Sequence, residues 1–552
     1  LNHAPIVPIV LPALVAALML FDRNRSTQRA LAWLSVLLQA GCAAWLLALA
    51  ADDWRGVYLV GNWAAPWGIA LVADRLATLM LALTAALATV ALAAAHAGDH
   101  DRHGEHFHPL FQIQLMGLNG AFLTGDLFNL FVFFEVLLIA SYGLLVHGDG
   151  PARVAAGLRF VSLNLVGSLF FLIGAGLMYG VTGTLNFADL SVRLPGLEGG
   201  DATLARIGAW MLLVVFCLKA AILPLSLWLP STYSAATPPV AALFAVMTKV
   251  GIVAVLRLSI QVLGATGGGL GEPILPWLVA FGTAGYAAAA LGALAGSDLR
   301  RTASMLLVAS SSFLLIGVAG GNERSIAAAL VYLPHTTLSA AALFLVAHLV
   351  ASSRGPASDR LVGGPAPARP AALGAMFFAS AIALAGLPPF SGFIAKAMLL
   401  GSTLPPTAGE LPAAGPAAVV WAVVLVGSLF ALVALARAGI VLFWESDDAA
   451  GAPGAASAHH GAHAHPEPAA PAPTARSEAH ATGGATALPL RALLAPLAAL
   501  AAVIALAIAA GPVQRFALEA SRDLLDPAEG VDQVLRTAPR PGPHQPAPET
   551  MR

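Results

Sequence analysis

Lysine occurs at only three positions in this 552-residue chain, Lys219, Lys249 and Lys396, although lysine and arginine together number 28. All three lie in long apolar stretches, FCLKAAILPL, LFAVMTKVGIV and FSGFIAKAML, while the loops use arginine instead. A guanidinium effectively never gives up its proton, whereas a lysine removed from water can be brought to do so. A central charge costs at least about 2.5–3.5 kcal/mol on membrane-insertion scales, so lysine retained there and nowhere else points to proton transfer. Glu135, in LFNLFVFFEVLLIASYGLL, is the one carboxylate surrounded by a wholly apolar helix. Unpaired it would be neutral; paired with an ammonium it would be charged and would hold that partner's proton in place. We therefore expect Glu135 to pair with Lys219, and opening of the pair to send the lysine proton onward. His335, in VYLPHTTLSAAALFL, titrates near neutrality and is the candidate link between Lys249 and Lys396; Pro334 before it suggests an irregular helix.

The elements that must position these groups are membrane helices. Hydrophobic residues make up 58% of the chain and charged residues 10%, with a mean hydropathy of +0.80. Soluble domains carry about 25% charged residues, so a water-facing surface of ordinary size cannot be built from this composition. The apolar residues fall in blocks of the length that crosses a bilayer, and the reading is all-α, with about 14 transmembrane helices. They are placed at 4–21, 29–50, 72–95, 109–124, 126–147, 156–181, 203–229, 236–263, 273–296, 303–321, 325–351, 371–402, 417–444 and 486–510. Arg23, Arg25, Arg29, Arg153, Arg159, Arg300, Arg301, Arg354, Arg360 and Arg369 fall on one side of this count, against Arg55, Arg193 and Arg324 on the other. The positive-inside rule then puts both termini on the non-cytoplasmic side of a bacterial cytoplasmic membrane.

Two helices carry interior prolines, Pro224 and Pro230 in LPLSLWLP and Pro388 and Pro389 in GLPPFSGF. Proline removes a backbone hydrogen bond and clashes with the preceding turn, so both helices should break there. Broken backbone at membrane depth survives only where protein covers it or water lines it, and matched breaks in two halves suggest a transporter built from repeats. The expected organisation is helices 1–3 over residues 1–108, a first repeat of helices 4–8 over 109–263, and a second, inverted repeat of helices 9–13 over 264–444. A low-complexity Ala/Pro/His linker over 445–485 follows, then the last helix at 486–510 and a polar tail over 511–552.

Other chemistry finds little footing. There is no phosphate-binding loop, dinucleotide fingerprint, CxxC or haem motif, and no polar stretch long enough for a soluble catalytic domain, so no enzyme, cofactor or metal centre is expected. A formal charge of −1 offers nothing to nucleic acid. Cys42 and Cys217 sit in separate apolar blocks and suggest no disulfide. The first apolar run lacks a positive leader and reads as a retained helix. Histidines cluster in Asp99–His108 and in the linker, at His459, His460, His463, His465 and His480; metal binding and pH sensing are the functional alternatives, and both stretches are read as low-complexity sequence without an assigned function. Arg257, His348 and Arg437 read as helix-end or structural residues, and Asp298, Arg300 and Arg301 as a loop cluster.

Glu135, Lys219 before LPLSLWLP, Lys249 and Lys396 after GLPPFSGF together resemble the antiporter-like family shared by Mrp-type cation/proton antiporters and the proton-pumping membrane arm of respiratory complex I. The similarity covers helices three to thirteen. HTTLSAAALFLVAH, starting at His335, resembles the D-subunit branch of the Mrp (Pha, Mnh) antiporters, since complex I relatives often carry a lysine shortly after the matching histidine. The Ala/Pro/His linker departs from that pattern. The resemblance implies a hetero-oligomeric antiporter subunit that exchanges Na+ or K+ for protons in the lipid bilayer. Two other classes remain: the proton-pumping subunit of a redox complex, such as a complex I or a membrane-bound hydrogenase, and a membrane scaffold whose charges only set packing.

Overall fold

The computed structural model describes residues 3–148, 150–264, 268–404, 415–445 and 488–539. Its helices are α1 (Val7–Phe21), α2 (Arg25–Ala51), α3 (Arg75–Ala97), α4 (Phe107–Leu123), α5 (Leu127–Val146), α6 (Pro151–Thr182), α7 (Phe187–Arg193), α8 (Gly199–Lys219), α9 (Trp228–Ala235) and α10 (Pro238–Phe244). There follow α11 (Met247–Leu256), α12 (Leu275–Leu294), α13 (Leu299–Ala319), α14 (Glu323–Ser353), α15 (Pro370–Ala385), α16 (Ser391–Ser402), α17 (Pro416–Phe443), α18 (Leu494–Ile508), α19 (Ala510–Leu525) and α20 (Ala528–Arg536). Among the described residues, 12 helical spans are long and apolar enough to cross a membrane. The other two expected segments coincide with α4, of 17 residues, and with the pair α15–α16, interrupted in its middle.

Local sequence starts these helices where it should. Asn24, Asp74, Asp126, Asn186, Asp298 and Asn322 each accept a backbone N–H of the first turn, satisfying donors that a helix start leaves open. Both proline breaks form: residues 220–227 separate α8 from α9, and 386–390 separate α15 from α16. Pro230 falls in the first turn of α9, where the missing N–H costs nothing. Pro334 is different. The irregularity expected there is absent, and α14 runs through it as one 31-residue helix. Burial by neighbouring helices on every side holds the turn together, so one lost hydrogen bond does not break it.

The five helical segments from α4 to α11 and the five from α12 to α17 follow the same order, each with its fourth member broken. In each set the first two helices pack on one another and the third packs on the broken one. Two spans are buried by the rest of the protein over at least five turns, Pro238–Val262 and α14, and they carry Lys249 and His335. Hence the centre of the fold is where the titratable groups are, and the lipid-facing apolar surface belongs to the outer helices such as α6 and α17.

Two features depart from the expected all-helical chain with a polar tail. A short antiparallel hairpin, β1 (Gly56–Leu59) and β2 (Ala70–Ala73), joins α2 to α3. Residues 511–536, expected as a tail, form most of α19 and all of α20. Ala517, Ala520, Ser521 and Leu524 are buried along one face of α19, and Asp523 binds Arg75 at 2.7 Å. A 3.6-residue spacing of small and apolar side chains among charges is easily read as mere polarity. The linker with its histidines, and the last 13 residues, lie outside the described residues. Cys42 and Cys217 are free thiols.

Candidate functional site

Every group singled out for proton chemistry lies within the helical bundle. Lys249 is fully buried near the start of α11; its Nζ donates to Ser310 Oγ at 3.0 Å and Thr248 Oγ1 at 3.2 Å. Lys219 is the last residue of α8, directly at the first break, and its Nζ donates to Asn164 Oδ1 of α6 at 3.2 Å. Lys396 sits in α16 after the second break, donating to Ala385 O at 2.7 Å and Ser428 Oγ at 2.8 Å. Among the described residues no carboxylate comes within ion-pair distance of any of these ammonium groups.

The expected direct pair of Glu135 with Lys219 is therefore not formed. Glu135 instead takes a hydrogen bond from Ser168 Oγ, and Ser168 and Asn164 lie one turn apart on α6, with Ser168 Oγ 3.0 Å from Asn164 O. The carboxylate and the ammonium thus meet the same helix at successive turns, coupled through a hydroxyl and an amide. Sequence reasoning missed both side chains. They are common polar residues on an otherwise apolar helix, and only the i, i+4 spacing of Asn164 and Ser168 hints that they share a face.

The second break gives a clear account of why the proline matters. A helix end leaves its last carbonyls without intrahelical donors. Here Ala385 O accepts from Lys396, and Ala383 O accepts from His335 Nε2 at 3.0 Å in addition to the Gly386 N–H. Since a carbonyl only accepts, His335 carries its proton on Nε2, leaving Nδ1 to accept from Ser391 Oγ at 3.0 Å. The negative end of the α15 dipole further favours a cation at Lys396. Two glycines make room for this. A Cβ on Gly386, whose φ is +75°, would lie 2.6 Å from Lys396 Nζ, and one on Gly392 would lie 2.4 Å from His335 Nε2. Gly392→Ala should thus displace the imidazole from Ala383, costing about 1–3 kcal/mol of overpacking. Transport should fall with the protein still assembled, and an unchanged rate in membrane vesicles would separate His335 from the pathway.

Four buried hydroxyls without a hydrogen-bond partner stand on the helices that carry the contacts of Lys249 and His335. Ser311 and Ser312 follow Ser310 on α13, and Thr336 and Ser339 flank His335 on α14. Buried polar atoms are ordinarily satisfied, so such a group marks places for ordered water. The run SSS at 310–312 was legible, but nothing in the linear sequence placed it against Lys249. Lys396 in turn lines a cavity of about 600 Å³ whose walls are mainly apolar side chains of α16 and α17, among them Phe393, Leu400, Trp421 and Leu425.

Two residues set aside as structural have definite partners. Arg257 does not snorkel: its guanidinium makes two hydrogen bonds to Asp74, at 2.5 and 2.8 Å, both side chains nearly buried. His348 packs its ring 5.1 Å from that of His100. Outside the spans, burial would raise the Asp359 carboxyl, but hydrogen bonds from Arg300 outweigh it and hold the group below its usual range.

Residues 124–415 match the family described as NADH:quinone oxidoreductase/Mrp antiporter, transmembrane. A relative from Rhizobium meliloti (strain 1021), named as the D subunit of a probable K(+)/H(+) antiporter, is 45% identical over 477 residues, covering 81% of this chain and 88% of its own. The D subunit of the Na(+)/H(+) antiporter of Alkalihalophilus pseudofirmus is 34% identical over 543 residues, 97% of this chain and 100% of its own. Among solved structures, a chain of the Mrp complex from Dietzia sp. DQ12-45-1b superposes with a TM-score of 0.80 at 27% identity, covering 97% of this chain and 99% of that one.

Proposed function

The chain belongs to the NADH:quinone oxidoreductase/Mrp antiporter family, and from that membership we propose that it is the proton-translocating D subunit of a multi-subunit Na+ or K+/H+ antiporter. The observation that carries the mechanism is the row of buried ammonium groups held by hydroxyl, amide and carbonyl oxygens and by no carboxylate. Protons pass from Lys219 to Lys249, through water to His335, beside which the unpartnered hydroxyl of Ser339 lies one turn along α14, and on to Lys396. Each donor–acceptor step needs a group that both holds and releases a proton near neutral pH, which lysine out of water and histidine can do. Glu135 biases the first step electrostatically through Ser168 and Asn164. Names of relatives favour the antiporter branch over a redox pump, a transporter subunit rather than an enzyme.

Orientation follows from arginine. Arg159, Arg300, Arg301 and Arg360 line one cavity at one end of the bundle, consistent with a cytoplasmic face and with both termini opposite, in a bacterial cytoplasmic membrane. The two five-helix sets read as inverted repeats.

The test is transport. In energised everted vesicles holding the assembled complex, added Na+ or K+ should collapse the pH gradient, and deleting this chain should abolish the response. No response to either cation from an assembled complex, or co-purification with flavin or iron–sulfur subunits, would overturn the reading in favour of a redox pump. Glu135→Gln keeps the Ser168 contact but removes the charge; the cation-driven rate should drop by about tenfold, equivalent to roughly 1.4 kcal/mol. A normal rate would remove Glu135 from the mechanism.

A further inference from the structure

Away from the lysine row, three side chains with unpartnered buried atoms, His96, His108 and Gln112, lie on α3 and α4, with Gln112 bonded to Ser35 of α2. Beside the two imidazoles is the buried Asp101. Its carboxylate accepts from Arg29 Nε and Nη2, each at 2.7 Å, and from His108 Nε2 at 3.1 Å. Burial alone would raise this carboxyl, but the hydrogen bonds from His108 and Arg29 outweigh it and hold it well below the usual carboxylate range. An ionised carboxylate only accepts, so His108 carries its proton on Nε2 and presents a bare lone pair at Nδ1. A cavity of about 110 Å³, lined by Arg23, Arg25, Glu105 and His106, reaches Asp101 and His108 from outside.

The nearest ligand atoms of His96, Asp101 and His108 lie within 4.8 Å of one another, a spacing that could suit a metal, but the hydrogen bonds do not fit one. Trp33 Nε1, a donor only, gives its proton to His96 Nδ1 at 2.8 Å, so His96 Nε2 holds a proton and no free pair. Arg29 occupies both Asp101 oxygens. An alkali cation fits no better deeper in: the atom of Gln112 without a partner is Nε2, a donor, while Oε1 accepts from Ser35 Oγ at 2.8 Å.

What fits is water. His108 Nδ1 is an unpartnered acceptor and Gln112 Nε2 an unpartnered donor, one helical turn apart on α4. A water between them donates to the first and accepts from the second, satisfying both. We propose that this end of the N-terminal helices is a hydrated proton-exchange site, with His108 passing protons between the cavity beside Asp101 and a water held by Gln112. When that water carries an excess proton the ring takes it at Nδ1, becomes imidazolium, and releases its Nε2 proton past the Arg29-bound Asp101 to water in the cavity; rotation of the ring resets it. Arg29 and the nearby Asp99, itself bound to Arg29 at 2.9 Å, set the field, and Phe107 packs edge-on against the imidazole to fix its plane.

This site lies apart from the lysine row, and its test does not depend on that row. A cryo-EM map of the assembled complex that resolves ordered waters should show density within hydrogen-bond distance of both His108 Nδ1 and Gln112 Nε2. His108→Gln keeps a donor to Asp101 but has no second ring nitrogen, and Gln112→Leu keeps the shape without the donor. Both should lower proton movement by at least about tenfold at normal assembly. A dry gap in the map overturns the proposal whatever the variants do, and so does a full rate in His108→Gln.

Discussion

Lys219→Arg is expected to stop cation-driven proton movement while leaving the subunit folded and assembled. The surroundings of Lys219 can accept a guanidinium: Asn164 Oδ1 lies 3.2 Å from Nζ and the face of Phe134 lies 5.7 Å away, and arginine engages both an amide oxygen and an aromatic ring. Charge, reach and local contacts are thus kept. The one property lost is the ability to give up the proton, since arginine remains protonated at any physiological pH. A fall of at least about 100-fold in the rate is expected, roughly 2.7 kcal/mol. The rate would be measured as the cation-induced pH change in everted vesicles, with co-purified partner subunits as the assembly control. Lys219→Met would be less informative, because it removes the charge and the proton together. A rate near that of the unaltered protein in Lys219→Arg would mean that this position supplies a field and not a proton.

Asp74→Ala should produce the largest loss of stability. Asp74 binds Arg257 through two hydrogen bonds with both side chains about nine-tenths buried, and its Oδ1 also caps α3 by accepting from Ala77 N at 2.8 Å. Removing it leaves a buried guanidinium without a counter-charge, which typically costs about 3–5 kcal/mol, and removes a cap worth about 1 kcal/mol. Thermal unfolding of the detergent-solubilised complex should shift sharply downward. Combining Asp74→Leu with Arg257→Met should recover much of the loss, because two apolar groups carry no desolvation penalty. The pair joins the start of α3 to a π-helical turn, Arg257–Val262, which continues directly from α11, the helix of Lys249. Equal stability of Asp74→Ala and the unaltered protein would show that water reaches the guanidinium and that the pair is not a structural tie.

Much of this was legible in the linear sequence because the bilayer is a demanding solvent. Lys219, Lys249 and Lys396 stand out as costly charges in apolar runs, and Pro224, Pro388 and Pro389 mark the breaks by simple sterics. These are properties of single residues or of one helix, and they hold wherever the helix packs. Length and apolarity likewise place most of the spans to within a turn at each end. The wrong expectations share a cause. Pro334 breaks nothing because its helix is enclosed, and residues 511–536 are helical because the small face of α19 meets α14 and α20 packs on α7.

That the chain spans a membrane with buried lysines and two broken helices follows from its residues alone, since backbone hydrogen bonding and the cost of charge in hydrocarbon leave few alternatives. Which groups meet is a matter of packing. The packed helices set Asn164 and Ser168 between Glu135 and Lys219, Ser310 beside Lys249, the carbonyls of Ala383 and Ala385 against His335 and Lys396, and Asp74 on Arg257. Those partners are ordinary polar side chains and backbone atoms. Their role comes from a position across a helix interface, which depends on how two helices cross and rotate and leaves no periodic trace in either one.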